Sequence, residues 1–109
     1  MIIRVVQMTF REDAVNDFVA LFNERKHLIR GFEGCSHLEL WQEAHKPSVF
    51  FTYSKWKSEA HLDHYRFSEL FKDTWARTKA LFAEKAQAWS VLPQMEVDSK
   101  VSEKRFPTN

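Results

Sequence analysis

The stretch IIRVVQMTF, Ile2 to Phe10, carries two apolar sets in alternation. In an extended chain Ile3 and Val5 point to one side, and Val6, Met8 and Phe10 point to the other. A strand that is apolar on both faces has to be covered on both faces. This segment therefore predicts a central strand, and a fold that supplies a layer on each side of it.

From Glu12 to Arg30 the period becomes helical. Val15, Phe18, Phe22 and Ile29, flanked by Ala14, Leu21 and Leu28, form one stripe. Gly31 is expected as a left-handed stop, with Phe32 packing back on the last turn. Gly34 to Ala44 and Ser48 to Trp56 predict a hairpin that turns around His45, Lys46 and Pro47. In its first strand Ser36, Leu38 and Leu40 alternate with Cys35, His37, Glu39 and Trp41. Register decides which set faces the core, and both assignments stay open at this point. Ser58, helped by Glu59, caps a helix that runs through about Phe67. Ser68 caps a second helix bearing Phe71, Trp75, Thr78 and Phe82, expected to end near Ala86. Trp89, Val91 and Leu92, ahead of Pro93, suggest a short last strand.

The order β-α-β-β-α-(α)-β is the split βαβ plan of a ferredoxin-like α+β fold, a four-stranded antiparallel sheet with helices on one face. One domain is expected over residues 1–93, followed by a polar tail or arm over 94–109 whose cluster Lys100 to Arg105 reads as solvated. A second copy of the chain is the simplest cover for the helix-free face, which predicts a homodimer with an eight-stranded core.

Composition narrows the function. Sixteen basic and fifteen acidic residues are well mixed, with no basic stripe, so nucleic acid is a poor partner. No apolar run is long enough to span a bilayer, and MIIRVVQMTF lacks the pattern of a secretory signal. With one cysteine, Cys35, there is no internal disulfide framework, and a cytoplasmic location is expected. Two glycines, Gly31 and Gly34, are too few for a phosphate loop or a dinucleotide fingerprint. The pair His61 and His64 lacks the further ligands a metal site needs.

The stretch EGCSHLELWQEAHKPSVFFTYSKWKSEAHLDHYRFSELF resembles the antibiotic biosynthesis monooxygenase family of dimeric α+β barrels. The likeness lies in Gly34-Cys35 opening a strand, Pro47 in the hairpin turn and Trp56 closing the next strand. Ser58-Glu59-Ala60 follows as a helix start, and then His64, Ser68 and Phe71. The resemblance extends over residues 1 to about 92. It implies a homodimer with a pocket between sheet and helices in each subunit. Some members oxygenate electron-rich phenols and quinols without metal or flavin, and one branch degrades haem. That branch carries an Asn, a Trp and a ligand His at positions that fall near Val6, Tyr65 and Trp75 here. None of the three matches, so no cofactor is expected.

Within that frame the expected function is a cofactor-independent monooxygenase acting on an aromatic or quinol-like small molecule. The alternatives are a non-catalytic ligand-binding or structural dimer, or a non-oxidative isomerase in the same pocket. His64 stands where the family often has His, and an imidazole suits the proton transfer that oxygenation of a phenol requires. It also fits a helix residue that only packs or hydrogen-bonds. His37, Tyr53 and Tyr65 are the expected polar positioning groups. His37, Glu39 and Trp41 share a strand face that either lines a polar cavity or is wet.

Overall fold

The computed structural model describes residues 1–99, and the cluster Lys100 to Arg105 lies outside them. The elements are β1 (Ile2–Phe10), a short 3-10 turn (Glu12–Ala14), α1 (Val15–Arg30), β2 (Cys35–Gln42), β3 (Val49–Trp56), α2 (Glu59–Arg66), α3 (Glu69–Lys79) and β4 (Phe82–Val91). The strands form one antiparallel sheet in the order β2-β3-β1-β4. The architecture is the ferredoxin-like α+β fold, and β1 is a central strand, as its two-sided pattern requires.

The register sorts every strand into two faces. Ile2 pairs with Trp56, Arg4 with Ser54, Val6 with Thr52 and Met8 with Phe50. These residues face the helices. Two buried clusters fill the space between the layers. One is built on Ile2, Ile29, Cys35, Trp56, Leu62 and Tyr65. The other is built on Met8, Phe10, Phe18 and Phe50, with Phe10 stacked on Phe18 at 4.1 Å between ring centroids. The opposite face carries Ile3 and Val5 of β1 beside Tyr53 and Lys55 of β3, and Trp89 and Val91 of β4.

A register shift between Cys35 and His37 settles the question left open for β2. The extra residue lets Cys35 turn into the core beside Trp56, while His37, Glu39 and Trp41 go to the helix-free face and Leu38 and Leu40 pack inward.

Both serine caps form. Ser58 Oγ accepts from His61 N at 3.2 Å, and Ser68 Oγ accepts from Phe71 N at 3.1 Å. Ser68 Oγ also donates to Tyr65 O at 2.6 Å, which fixes the corner between α2 and α3. On the far side of the helical layer Arg25 of α1 donates to Asp73 at 2.7 Å and to Thr74 Oγ1 at 2.9 Å of α3.

Two expectations are corrected. α3 ends at Lys79, not near Ala86, and β4 begins at Phe82 rather than near Trp89. The helical spacing of Phe71, Trp75, Thr78 and Phe82 runs on past the true end, and AEKAQA is rich in helix formers. Pairing along β1 overrides that local preference: Arg11 N donates to Leu81 O at 3.0 Å and Phe10 pairs with Phe82. The second correction concerns the glycines. Gly31 caps α1 with an ordinary right-handed backbone, φ −84°. The left-handed position is Gly34, φ 91°, where an added Cβ would stand 2.4 Å from His61 Cβ.

The two glycines should therefore differ sharply on substitution. Gly34→Ala is expected to lower stability by about 1–3 kcal/mol from backbone strain, before any clash with His61 is counted. Gly31→Ala is expected to change it by less than about 1 kcal/mol. Urea unfolding of the two variants measures both values, and equal losses would contradict the backbone assignment.

Candidate active site

A cavity of about 240 Å³ lies between the sheet and the helical layer. Its floor is the helix-facing side of the sheet: Arg4, Val6 and Met8 of β1, Thr52, Ser54 and Trp56 of β3, Leu38 of β2, and Ala86 and Ala88 of β4. Its roof is Phe18, Phe22 and Ile29 of α1, Leu62, Tyr65 and Arg66 of α2, and Phe71, Thr74, Trp75 and Thr78 of α3. Alanines on β4 leave the room that larger side chains there would fill. Apolar walls with a few convergent polar groups are the usual make-up of a small-molecule site, and the volume falls somewhat below the usual range for one.

Aromatic rings build much of the wall. Tyr65 stacks on Trp56 at 4.9 Å between centroids and meets the edge of Phe71 at 5.2 Å. Phe71 stacks on Trp75 at 5.8 Å. Trp56 donates its indole N–H to Ser54 Oγ at 3.0 Å, which satisfies a buried donor and orients the ring. Burial pushes the Tyr65 phenol well above its ordinary range, so at neutral pH it keeps its proton and can donate but not abstract.

Two cations line the cavity. Arg4 donates to Ser90 Oγ at 2.9 Å. Burial lowers its pKa, the nearby charge of Arg66 lowers it further, and Asp63 works in the opposite direction. No aspartate, glutamate or histidine is among the lining residues.

Of the four expected site residues only Tyr65 lines the cavity. His64, its neighbour on α2, is exposed and packs its ring 5.5 Å from that of Phe32. His37 and Tyr53 are on the helix-free face, on the far side of the sheet from the cavity. There they form a cluster of their own: Trp41 stacks on Tyr53 at 4.9 Å, His37 meets the edge of Tyr53, and Glu39 accepts from Trp41 Nε1 at 2.7 Å and bonds to His37 Nε2. His61 bonds to Ser58 Oγ at 2.7 Å through Nδ1. Among the described residues no group of three or more His, Cys, Asp or Glu is placed to hold a metal ion.

Sequence reading missed Arg4, Thr52, Ser54 and Arg66. For Arg4 a signal exists: it is the one charge in the apolar alternation of β1. The three positions compared with the haem-degrading branch, Val6, Tyr65 and Trp75, do line the cavity. They offer no imidazole, so haem held in that manner does not fit these residues.

The fold and cavity define a ferredoxin-like α+β domain with a hollow of ligand size under its helices. The family model for antibiotic biosynthesis monooxygenase matches residues 1–77, and the chain belongs to that family. A solved structure of an antibiotic biosynthesis monooxygenase superposes with a TM-score of 0.82 at 18% identity, covering 87% of this chain and 100% of that one. A conserved protein from Methanosarcina mazei gives 0.81 at 22%, covering 86% and 94%. A protein from Mycobacterium tuberculosis gives 0.80 at 20%, covering 89% and 98%. At these identities the likeness is one of fold. Comparison with curated proteins gives no match.

Hydrogen bonds from His37 and Trp41 hold the Glu39 carboxylate below its usual pKa. A depressed carboxylate stabilises the fold above its unfolded pKa, and that contribution is lost as pH falls through the lower folded value. NMR titration of Glu39 should give a midpoint below the ordinary glutamate range, and Trp41→Phe should move it upward. A midpoint unmoved in that variant would remove the indole from the cause.

Proposed function

We propose that this chain is a cofactor-independent oxygenase whose substrate, a flat aromatic or quinol-like small molecule, binds in the cavity between sheet and helices. The observation that carries this reading is the cavity itself: a ring-walled hollow with Tyr65, Thr52, Ser54, Thr74, Thr78 and two arginines as its polar groups, in a chain of this family. In such a reaction the bound phenol loses its proton, and the anion passes an electron to dioxygen. Dry walls protect the reactive species from water. Tyr65 would hold a substrate oxygen by donating to it. His64 would act only from outside the lining, as a proton acceptor reached through solvent.

A homodimer belongs to the same reading. Trp41 and Trp89 are 41% and 44% exposed on the helix-free face, with Val91 at 42% beside Ile3 and Val5 of β1. A second copy would cover this face and satisfy the two-sided pattern of β1. Residues 1–93 would form the domain, and the single buried thiol of Cys35 suits a reducing cytoplasm. Among the described residues no helix is long and apolar enough to cross a membrane.

A non-catalytic binding dimer is the second reading. It is favoured by one observation, the lack of a carboxylate or imidazole in the lining.

Oxygen consumption across a panel of anthrones, quinols and flavonols separates the two. Uptake is expected with at least one compound, and Ala88→Phe, which fills the cavity, should lower it at least about tenfold. Conversion without uptake would point to a non-oxidative isomerase, and no conversion to a binding role. His64→Ala is expected to keep most of the rate, since its ring is outside the lining. For the dimer, sedimentation should give about twice the mass of a 13.0 kDa chain. Trp89→Glu should shift it toward the monomer. A monomeric wild type would remove the dimer from the proposal.

A further inference from the structure

We propose that Arg4 and Arg66 form an anion seat in the cavity, so that the ligand is a planar aromatic molecule carrying an anionic oxygen, as a carboxylate or an ionised phenol. This rests on the cavity being the ligand site.

Register places the seat. Leu38, Ser54, Arg4 and Ser90 lie in one row across β2, β3, β1 and β4. The next rows toward Phe10 carry Val6 and Met8. The floor thus runs from the row with Arg4 and two serines, through Val6, Thr52 and Ala88, to Met8 and Phe50, which puts its charge at one end, the pattern that suits a ring with a charged end.

The two guanidiniums lack the carboxylate partners that Arg11, Arg25 and Arg77 have; Arg30, also without an ion pair among the described residues, donates to the Cys35 carbonyl at 2.9 Å and is not in the lining. Arg25 pairs with Glu24 and Asp73, Arg77 with the same two, and Arg11 with Asp13. Among the described residues Arg4 and Arg66 have no ion pair, and the hydrogen-bond partner of Arg4 is the neutral hydroxyl of Ser90. Asp63, one turn before Arg66 on α2, is the carboxylate whose charge reaches Arg4. Two cations against one carboxylate leave a surplus positive charge beside an apolar hollow. Arg4 is half-buried and Arg66 exposed, so like charges repel at the edge of the hollow, and an anionic ligand offsets that repulsion.

The seat also answers the missing base. Cations beside a bound phenol stabilise its anion and lower its pKa, so the proton passes to solvent and needs no carboxylate in the lining. Arginine suits the task because it stays charged and presents a planar fork to an oxyanion.

The test compares 2-naphthoate with 2-naphthamide, which share a ring system and differ in charge, by isothermal titration calorimetry on the full chain. Naphthoate is expected to bind at least about tenfold tighter than the amide. Arg66→Gln, at an exposed helix position, should weaken naphthoate about five- to tenfold and leave the amide unchanged, and Arg66→Lys should recover part of the loss. Arg4→Gln should weaken it at least as much, with circular dichroism checking the fold. Equal binding of acid and amide, both abolished by Ala88→Phe, would overturn the seat while leaving the cavity as a ligand site. Naphthoate binding that survives Ala88→Phe would also overturn it, since the anion would then sit elsewhere. Binding of neither compound would overturn the seat and the cavity reading together.

Discussion

The structure depends on the position of β1 at the middle of the sheet. Its backbone is paired on both edges, with β3 on one side and β4 on the other. Its side chains must be buried or occupied on both faces. On one face Ile2, Met8 and Phe10 close the core under the helices, while Arg4 and Val6 line the hollow left between those anchors. On the other face Ile3 and Val5 sit in a partly exposed apolar surface. Pocket and outer surface are thus two sides of one nine-residue strand.

The helical layer turns that floor into a cavity. Ser68 sets the angle between α2 and α3, so that Tyr65 and Phe71 meet edge to face across the corner. Arg25 ties α1 to α3 on the other flank. Ala86 and Ala88 keep β4 low beneath the roof. The hollow follows from small residues placed opposite large rings, and its polarity follows from a few hydroxyls and two guanidiniums set among them.

Much of the fold could be read in the sequence because it follows from short-range rules. The two-sided alternation of β1, the serine caps at Ser58 and Ser68 and the hairpin around Pro47 are local signals. The start of β4 was hidden because Leu81 and Phe82 fit a helical stripe as well as a strand, and only their long-range pairing with β1 decides between the two. The side of the sheet taken by His37 was hidden because it turns on one extra residue after Cys35. The site was harder still. Histidines and tyrosines draw attention by their chemistry, yet His37 and Tyr53 face away from the hollow and only Tyr65 enters it. Arg4 stands out as the one charge in β1, but what it faces depends on its row of neighbours across three other strands.

The two-residue period of β1 also limits how this protein can change over time. Gaining or losing one residue inside the strand would exchange its faces, sending Ile3 and Val5 beneath the helices and turning Arg4 and Val6 outward. The shifts in pairing between β1 and β4 fall between Gln7 and Phe10, beyond the row that carries Arg4. Length variation at that end would reach Met8 but leave the row of Arg4 in phase. Ahead of it, new ligand preferences have to arise by replacement of side chains on a backbone of fixed phase.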